Sequence, residues 1–162
     1  MIVYQVDQCM NSKRFIETCT GQGLVGVRSF PRGLKGRKDP EVLRNLLPSG
    51  CPLLTTDRTI HFDHATEIPD NHPGILIIAN AVQVATLTTR SAMRILSDFK
   101  REFPNWHDTA LANSVVELTE IAAEVWRIER GQVKRVAYVP FTVAGWQERL
   151  VGVLQENART TA

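Results

Sequence analysis

A chain of 162 residues with a net charge of +2, 43% hydrophobic residues and 22% charged residues fits a single folded domain. This composition excludes wholesale disorder, and the small positive charge neither requires nor opposes a nucleic-acid partner. Three cysteines without a CxxC pair argue against a disulfide framework or a cysteine-rich zinc site. The chain begins without signal-peptide features, and it has no apolar stretch near the roughly 20 residues of a membrane span. We therefore expect a cytoplasmic protein without a membrane partner.

The first half of the chain alternates strand patterns with helix patterns. Runs rich in β-branched and apolar residues predict strands over 2–6, 24–27, 51–56 and 74–79. Between these runs, Ser12 is a candidate helix N-cap, and Asp39 followed by Pro40 is a favoured start for a second helix. Strands and helices that alternate at this spacing predict an α/β fold with a mainly parallel central sheet.

The second half of the chain gives a less uniform pattern. An amphipathic helix is predicted over 84–103 and a final helix over 144–157. Residues 114–128 fit a helical period, but 114–119 also fit a strand, and both structures stay open there.

A hairpin is predicted around Arg130 and Gly131, over residues 126–138. No repeat, linker or low-complexity tract interrupts the chain. We expect the segment 114–158 to complete a single domain over 1–162, or to supply the surface of a homodimer or of another protein interface.

Three aspartates are expected near the carboxyl ends of the predicted strands. Asp7 follows the first strand, Asp57 follows the third, and Asp39 begins the helix that leads into the third. Ligands of parallel α/β sheets bind at this edge, and hard cations such as Mg²⁺ or Mn²⁺ prefer oxygen ligands. Such a cluster suits metal-assisted phosphodiester hydrolysis. The alternative for each aspartate is a turn or helix-cap role, which is common after a strand.

Four segments of the first half, 3–7, 33–43, 52–58 and 73–78, resemble the PIN-like proteins of previously unassigned function, which are relatives of the PIN-domain ribonucleases. The resemblance implies a three-layer α/β/α PIN-like fold. It also implies a Mg²⁺- or Mn²⁺-dependent ribonuclease in which Asp7, Asp39 and Asp57 are catalytic residues and metal ligands. Many relatives are toxins of toxin–antitoxin pairs, so the resemblance implies RNA as substrate and an antitoxin protein as a candidate partner.

The chain departs from the family pattern beside two of the aspartates. Relatives commonly have an acidic residue and an asparagine where this chain has Gln8 and Cys9, and an aspartate and a phenylalanine where it has Thr59 and Ile60. The alternative function is therefore a catalytically degenerate PIN-like module that binds RNA or a protein.

A basic loop immediately precedes Asp39. Lys35, Arg37 and Lys38 in this loop, together with Arg58 beside Asp57, are candidate contacts to an RNA backbone. The competing interpretation is a solvated charged loop, with Arg58 paired to a carboxylate.

Two other site types find weaker support in the sequence. His61, Asp63, His64 and His72 lie close together in the chain, but no third ligand has the fixed spacing of a zinc site. A receiver-like phosphoacceptor domain also clusters aspartates at strand ends, but this chain lacks an acidic pair next to Asp7.

Overall fold

The computed structural model describes residues 2–23, 25–82 and 87–159. Within these residues seven strands form one mixed sheet, and five α-helices surround it. The strands are β1 Val3–Val6, β2 Gly26–Arg28, β3 Leu53–Thr55, β4 Ile75–Ile78, β5 Val115–Leu118, β6 Ala122–Glu129 and β7 Gln132–Pro140. The helices are α1 Lys13–Gly21, α2 Asp39–Leu46, α3 Ile60–Asp63, α4 Thr89–Glu102 and α5 Trp146–Arg159.

The strand order is β2-β1-β3-β4-β5-β6-β7. The first five strands in this order run parallel, and β6 and β7 run antiparallel. The predicted α/β class with a mainly parallel sheet is confirmed, with an antiparallel pair added at one edge. Because β2 and β3 lie on opposite sides of β1, the connections that leave β1 and β2 run in opposite directions. The carboxyl ends of β1 and β3 therefore meet at a topological switch point.

Alternate strand residues face two hydrophobic cores. Leu54, Leu76 and Val116 pack in one core with residues of α1, α4 and α5. Leu53 and Ile75 pack in the other core with residues of α2 and α3. The strand period of two therefore gives each face of the sheet its own helices.

Local sequence signals explain several element boundaries. Ser12 caps α1 as predicted, since its hydroxyl accepts a hydrogen bond from the Phe15 N–H at 3.0 Å. The predicted hairpin is confirmed as β6 and β7, which are joined by Arg130 and Gly131, both at positive φ. A two-residue turn of this kind matches the twist of a hairpin.

Two of the remaining predictions include residues that the structure does not describe. Residues 24 and 84–86, which belong to a predicted strand and a predicted helix, lie outside the described residues. The ambiguous segment 114–128 contains strands β5 and β6, and the final helix is displaced by two residues to Trp146–Arg159. No helix in the described part of the chain is long and apolar enough to cross a membrane.

Candidate functional site

Asp7 lies directly after β1, at the switch point of the sheet. Its backbone N–H donates to the Leu54 carbonyl of β3 at 2.9 Å, which fixes the strand end. Its carboxylate accepts hydrogen bonds from the Thr55 hydroxyl at 2.7 Å and from the Gln8 N–H at 2.8 Å. The Cys9 thiol lies 3.7 Å from the same carboxylate. Neutral donors from two neighbouring strand ends thus hold Asp7 in place.

Thr55 joins Asp7 to the next predicted site residue. While its hydroxyl donates to Asp7, its oxygen accepts from the Asp57 N–H at 3.1 Å. The Asp57 carboxylate in turn accepts from the Thr59 N–H at 3.1 Å. The Thr59 hydroxyl lies 3.3 Å from Asp57 and donates to the nearer Asp63 carboxylate at 2.7 Å. Asp57 therefore has the local hydrogen bonds of a turn-forming aspartate, as the structural alternative predicted.

Asp39 is the first residue of α2, and Lys38, one residue earlier, occupies the N-cap position. The Asp39 carboxylate lies 3.3 Å from Nε2 of His64, and about half of this side chain is exposed. An aspartate in the first helical turn is favourable because of the helix dipole. Asp39 is thus held at the site without acting as the helix cap.

The electrostatics of Asp7 and Asp39 link these two carboxylates. Burial raises the pKa of Asp7 above its ordinary value, and the nearby charge of Asp39 raises this pKa further. The hydrogen bonds from Thr55 and Gln8 oppose the rise in the pKa only in part. Burial is thus the main reason that the pKa of Asp7 is raised, and the charge of Asp39 adds a smaller contribution of the same sign.

The three predicted aspartates do not form a closed set of metal ligands. Within residues 2–23, 25–82 and 87–159, no group of three or more His, Cys, Asp or Glu side chains could hold a metal ion. Asp7 and Asp39 interact electrostatically, and Asp57 is connected to Asp7 through Thr55. The protein thus supplies a pair of carboxylates with a third one beside it.

The basic loop is attached to the same strand end. The Gln8 side-chain oxygen accepts a hydrogen bond from the Gly36 N–H at 2.9 Å, and Gly36 has a φ of +79° that suits glycine. Lys35 and Lys38 are exposed, and Arg37 forms a surface ion pair with Glu41 at 3.4 Å. The loop therefore presents positive charge next to Asp39.

Arg58 points away from the basic loop, towards β4 and β5. Its guanidinium donates to the Asn80 carbonyl at 3.0 Å and to the Glu117 carboxylate at 2.6 Å. The sequence predicted an RNA contact for Arg58 with pairing to a carboxylate as the alternative, and the structure shows such a pair, with Glu117 as the partner. A single acidic residue within the apolar run 115–118 was the available signal, because such a residue needs a partner when the strand is buried.

The histidines near Asp57 have separate environments. His61 is fully buried, contacts the rings of Phe62 and Trp126, and has a pKa lowered by burial to about 4. His64 instead approaches Asp39, and buried His72 accepts a hydrogen bond from the Gly74 N–H at 3.1 Å. These positions give three different structural roles to the residues that were considered for a zinc site.

Comparison with known proteins gives no match: no family model, no curated protein and no solved structure is similar to the chain. The geometry of the site therefore has to support any functional assignment.

Proposed function

We propose that the chain is a PIN-like, metal-dependent ribonuclease whose central residues are Asp7 and Asp39. The observation that carries this proposal is the position of Asp7 at the switch point, where Thr55 holds its carboxylate and Gln8 attaches the loop that leads to Asp39. Burial, with a smaller contribution from Asp39, raises the pKa of Asp7 at this position. The three-layer PIN-like fold and an antitoxin partner belong to the same proposal through the sequence resemblance alone.

The donor chemistry of the site fits Mg²⁺ or Mn²⁺. Mg²⁺ is commonly bound by one or two carboxylates together with water and substrate phosphates, so a closed set of protein ligands is not required. Asp7 and Asp39 would hold the ion, and Asp57 is the adjacent third carboxylate. The ion would lower the pKa of an attacking water and neutralise charge on the phosphate. Because the pair is incomplete without substrate, we expect weak metal binding in the absence of RNA.

The surroundings of the carboxylate pair support RNA as the substrate. Lys35 and Lys38 present positive charge beside Asp39, and Gln8 attaches their loop to the end of β1. Contacts of lysine and arginine with phosphates position a nucleic acid without reading its sequence. The proposal therefore assigns Lys35, Arg37 and Lys38 to the RNA backbone. Arg58 orients Glu117 in this arrangement.

The test is cleavage of a mixed single-stranded RNA by the purified protein with Mg²⁺ or Mn²⁺ and, separately, with a chelator. Cleavage should require the ion and should fall at least about 100-fold in Asp7→Asn and Asp39→Asn, the scale of losing a central catalytic interaction. Asp57→Asn should also lose cleavage. The matched control is Asp98→Asn, since Asp98 is an exposed carboxylate on α4 that pairs with Arg101. Cleavage that persists with the chelator or in Asp7→Asn would contradict the proposal.

A degenerate module that binds RNA or a protein is the second candidate. It is favoured by Asp57, whose carboxylate accepts the Thr59 N–H as in a turn, and by the lack of a three-ligand group among the described residues. Its prediction is RNA binding that survives chelation and yields no product. Salt titration checks the binding mode, because a phosphate-contacting loop makes the affinity fall steeply as salt rises.

A further inference from the structure

A row of side chains crosses five strands on one face of the sheet. The strand pairings align Thr55 of β3 with Ile77 of β4, Glu117 of β5, Glu124 of β6 and Tyr138 of β7. Residues that are paired across neighbouring strands point to the same face. The row therefore begins at Thr55, which holds Asp7, and ends at an aromatic ring about four strand spacings, or roughly 19 Å, away.

The far part of this row borders a cavity of about 150 Å³. Its lining includes the cation Arg58, the carboxylates Glu117 and Glu124 and the hydroxyl of Thr119. The Tyr138 ring and the exposed Ile121 also line it. The cavity is smaller than the pockets that take drug-sized ligands, so it suits a single small ring system.

The charges around the cavity balance. Arg58 contacts Glu117 at 2.6 Å, and Arg135 lies 3.4 Å from Glu124. Two carboxylates are thus matched by two guanidinium groups, which favours a neutral polar ligand over a free ion. The Glu117 side chain is only 7% exposed, whereas Glu124 and Tyr138 are more accessible. Glu124 and Tyr138 are therefore the groups that a ligand can reach.

We infer that this cavity binds one nucleobase of the RNA, and that its chemistry selects guanine. This inference rests on the proposed ribonuclease function, because the base would belong to the RNA bound at Asp7. The cavity lies on the same face of the sheet as Thr55, and the buried Ile77 separates the two.

The Arg135 guanidinium lies over one face of the Tyr138 ring, 5.8 Å from its centroid. A base would stack on the opposite face, which is how proteins commonly hold unpaired bases. The Glu124 carboxylate has two acceptor oxygens, and guanine carries a ring N–H and an exocyclic amine side by side. Arg58 and Glu117 act as positioning residues that form the floor.

The first experiment compares RNA pentanucleotides that differ only at the central base, with a chelator present to prevent cleavage. The wild-type protein should bind central guanine about tenfold more tightly than central inosine, which lacks the exocyclic amine. Glu124→Gln should remove this preference, since an amide presents a donor where a carboxylate oxygen accepted. Glu129→Gln is the matched control on the same strand, because Glu129 pairs with Lys134 outside the cavity lining, and it should keep the preference.

Equal binding of guanine and inosine by the wild-type protein would overturn the inference, and so would a preference that survives Glu124→Gln. If Glu124→Gln does not fold, Tyr138→Ser gives the second variant, and it should weaken binding of every base through lost stacking. Unchanged affinity of Tyr138→Ser for central guanine also overturns the inference.

A second experiment separates this inference from the ribonuclease proposal. Guanosine 5′-monophosphate should shift the NMR signals of Glu124 and Tyr138 in the full chain. If these signals shift but the protein cleaves no RNA, the base cavity is supported and the ribonuclease proposal is contradicted. RNA cleavage by a protein whose Glu124 and Tyr138 signals do not shift would support the ribonuclease proposal and overturn the base cavity. Shifts caused by N-acetylargininamide but not by the nucleotide would assign the cavity to a protein partner, and would overturn the inference.

Discussion

Asp7 and Glu117 are both partly or largely buried carboxylates near the carboxyl ends of parallel strands, yet their surroundings differ in charge. Asp7 accepts from the Thr55 hydroxyl and the Gln8 N–H, and the acidic neighbour that affects it is Asp39. Glu117 accepts from the Arg58 guanidinium at 2.6 Å. One carboxylate is therefore solvated by neutral groups and repelled by a like charge, while the other is neutralised.

The difference indicates what each end of the sheet can bind. A largely buried carboxylate that only neutral donors contact is costly to keep charged, and this cost falls when a cation binds. A compensated carboxylate is stable without any ligand and leaves its surroundings suited to a neutral group. This contrast is the basis for proposing a metal ion at the β1–β3 edge and a base at the β5–β7 edge. The following four predictions test this contrast, from the largest expected effect on stability to the smallest.

Arg58→Met should have the largest effect, because it makes Glu117 an uncompensated buried carboxylate. We expect the free energy of unfolding to fall by about 2 kcal/mol, below the usual cost of breaking a fully buried pair because Arg58 is partly exposed. Urea denaturation at pH 7 measures this change. Adding Glu117→Gln should restore part of the loss. Arg101→Met removes an exposed pair and should change stability by less than about 0.5 kcal/mol. An equal effect of the two arginine variants would show that Glu117 does not depend on Arg58.

Thr55→Val should come next, with a loss of about 1.5 kcal/mol, because the buried hydroxyl serves both Asp7 and the Asp57 N–H. The Thr55 hydrogen bond lowers the pKa of Asp7, so its removal should raise that pKa further. If Asp7 acts as a carboxylate, the acidic limb of the cleavage profile should move to higher pH. Thr55→Ser keeps the hydroxyl and should keep the wild-type profile. If the acidic limb of the cleavage profile does not move in Thr55→Val, the ionisation of Asp7 does not control the reaction.

The buried strand β4 and the position of Asp7 at the sheet edge could both be predicted from the sequence. The apolar run 74–79 predicted the buried strand β4, and the positions after two strand patterns predicted that Asp7 and Asp57 would lie at one edge. These inferences need only the local period and the rule that parallel strands share a carboxyl edge.

The partners of the buried carboxylates could not be predicted in the same way. Thr55 is 48 residues from Asp7 in the chain, and Arg58 is 59 residues from Glu117. No local period encodes such a pairing, because it depends on strand order and register. The antiparallel β6 was ambiguous for a related reason, since the apolar spacing near 114–128 fits two periods at once. The partners of the buried carboxylates could therefore not be predicted, because they depend on pairing between strands that are distant in the sequence.

Asp7→Asn removes a charge whose burial is unfavourable, so the stability of this variant relative to wild type should improve as the pH rises from about 3.8 to 7. The folded-state pKa of Asp7 is raised, so the wild-type protein is destabilised by this charge at neutral pH. As the pH falls through the raised pKa, protonation relieves the cost, and this relative gain of the variant should disappear below about pH 3.8. Urea denaturation at several pH values measures this. A difference in stability between variant and wild type that stays constant from pH 3.8 to pH 7 would contradict a raised pKa of Asp7.

Gln8→Met should have the smallest effect on stability, under about 0.5 kcal/mol, because the hydrogen bond from Gly36 lies at the surface. Its effect should appear instead in the basic loop, which loses its attachment to the end of β1. We expect trypsin to cleave after Lys35, Arg37 or Lys38 several times faster than in wild type, since local opening controls such cleavage. Gln8→Glu keeps an acceptor for the Gly36 N–H and should keep the wild-type rate. Equal trypsin rates in all three proteins would show that the Gln8 hydrogen bond does not hold the basic loop at the end of β1. The difference between the two ends of the sheet would then lie only in the surroundings of Asp7 and Glu117, and the basic loop would have no part in it.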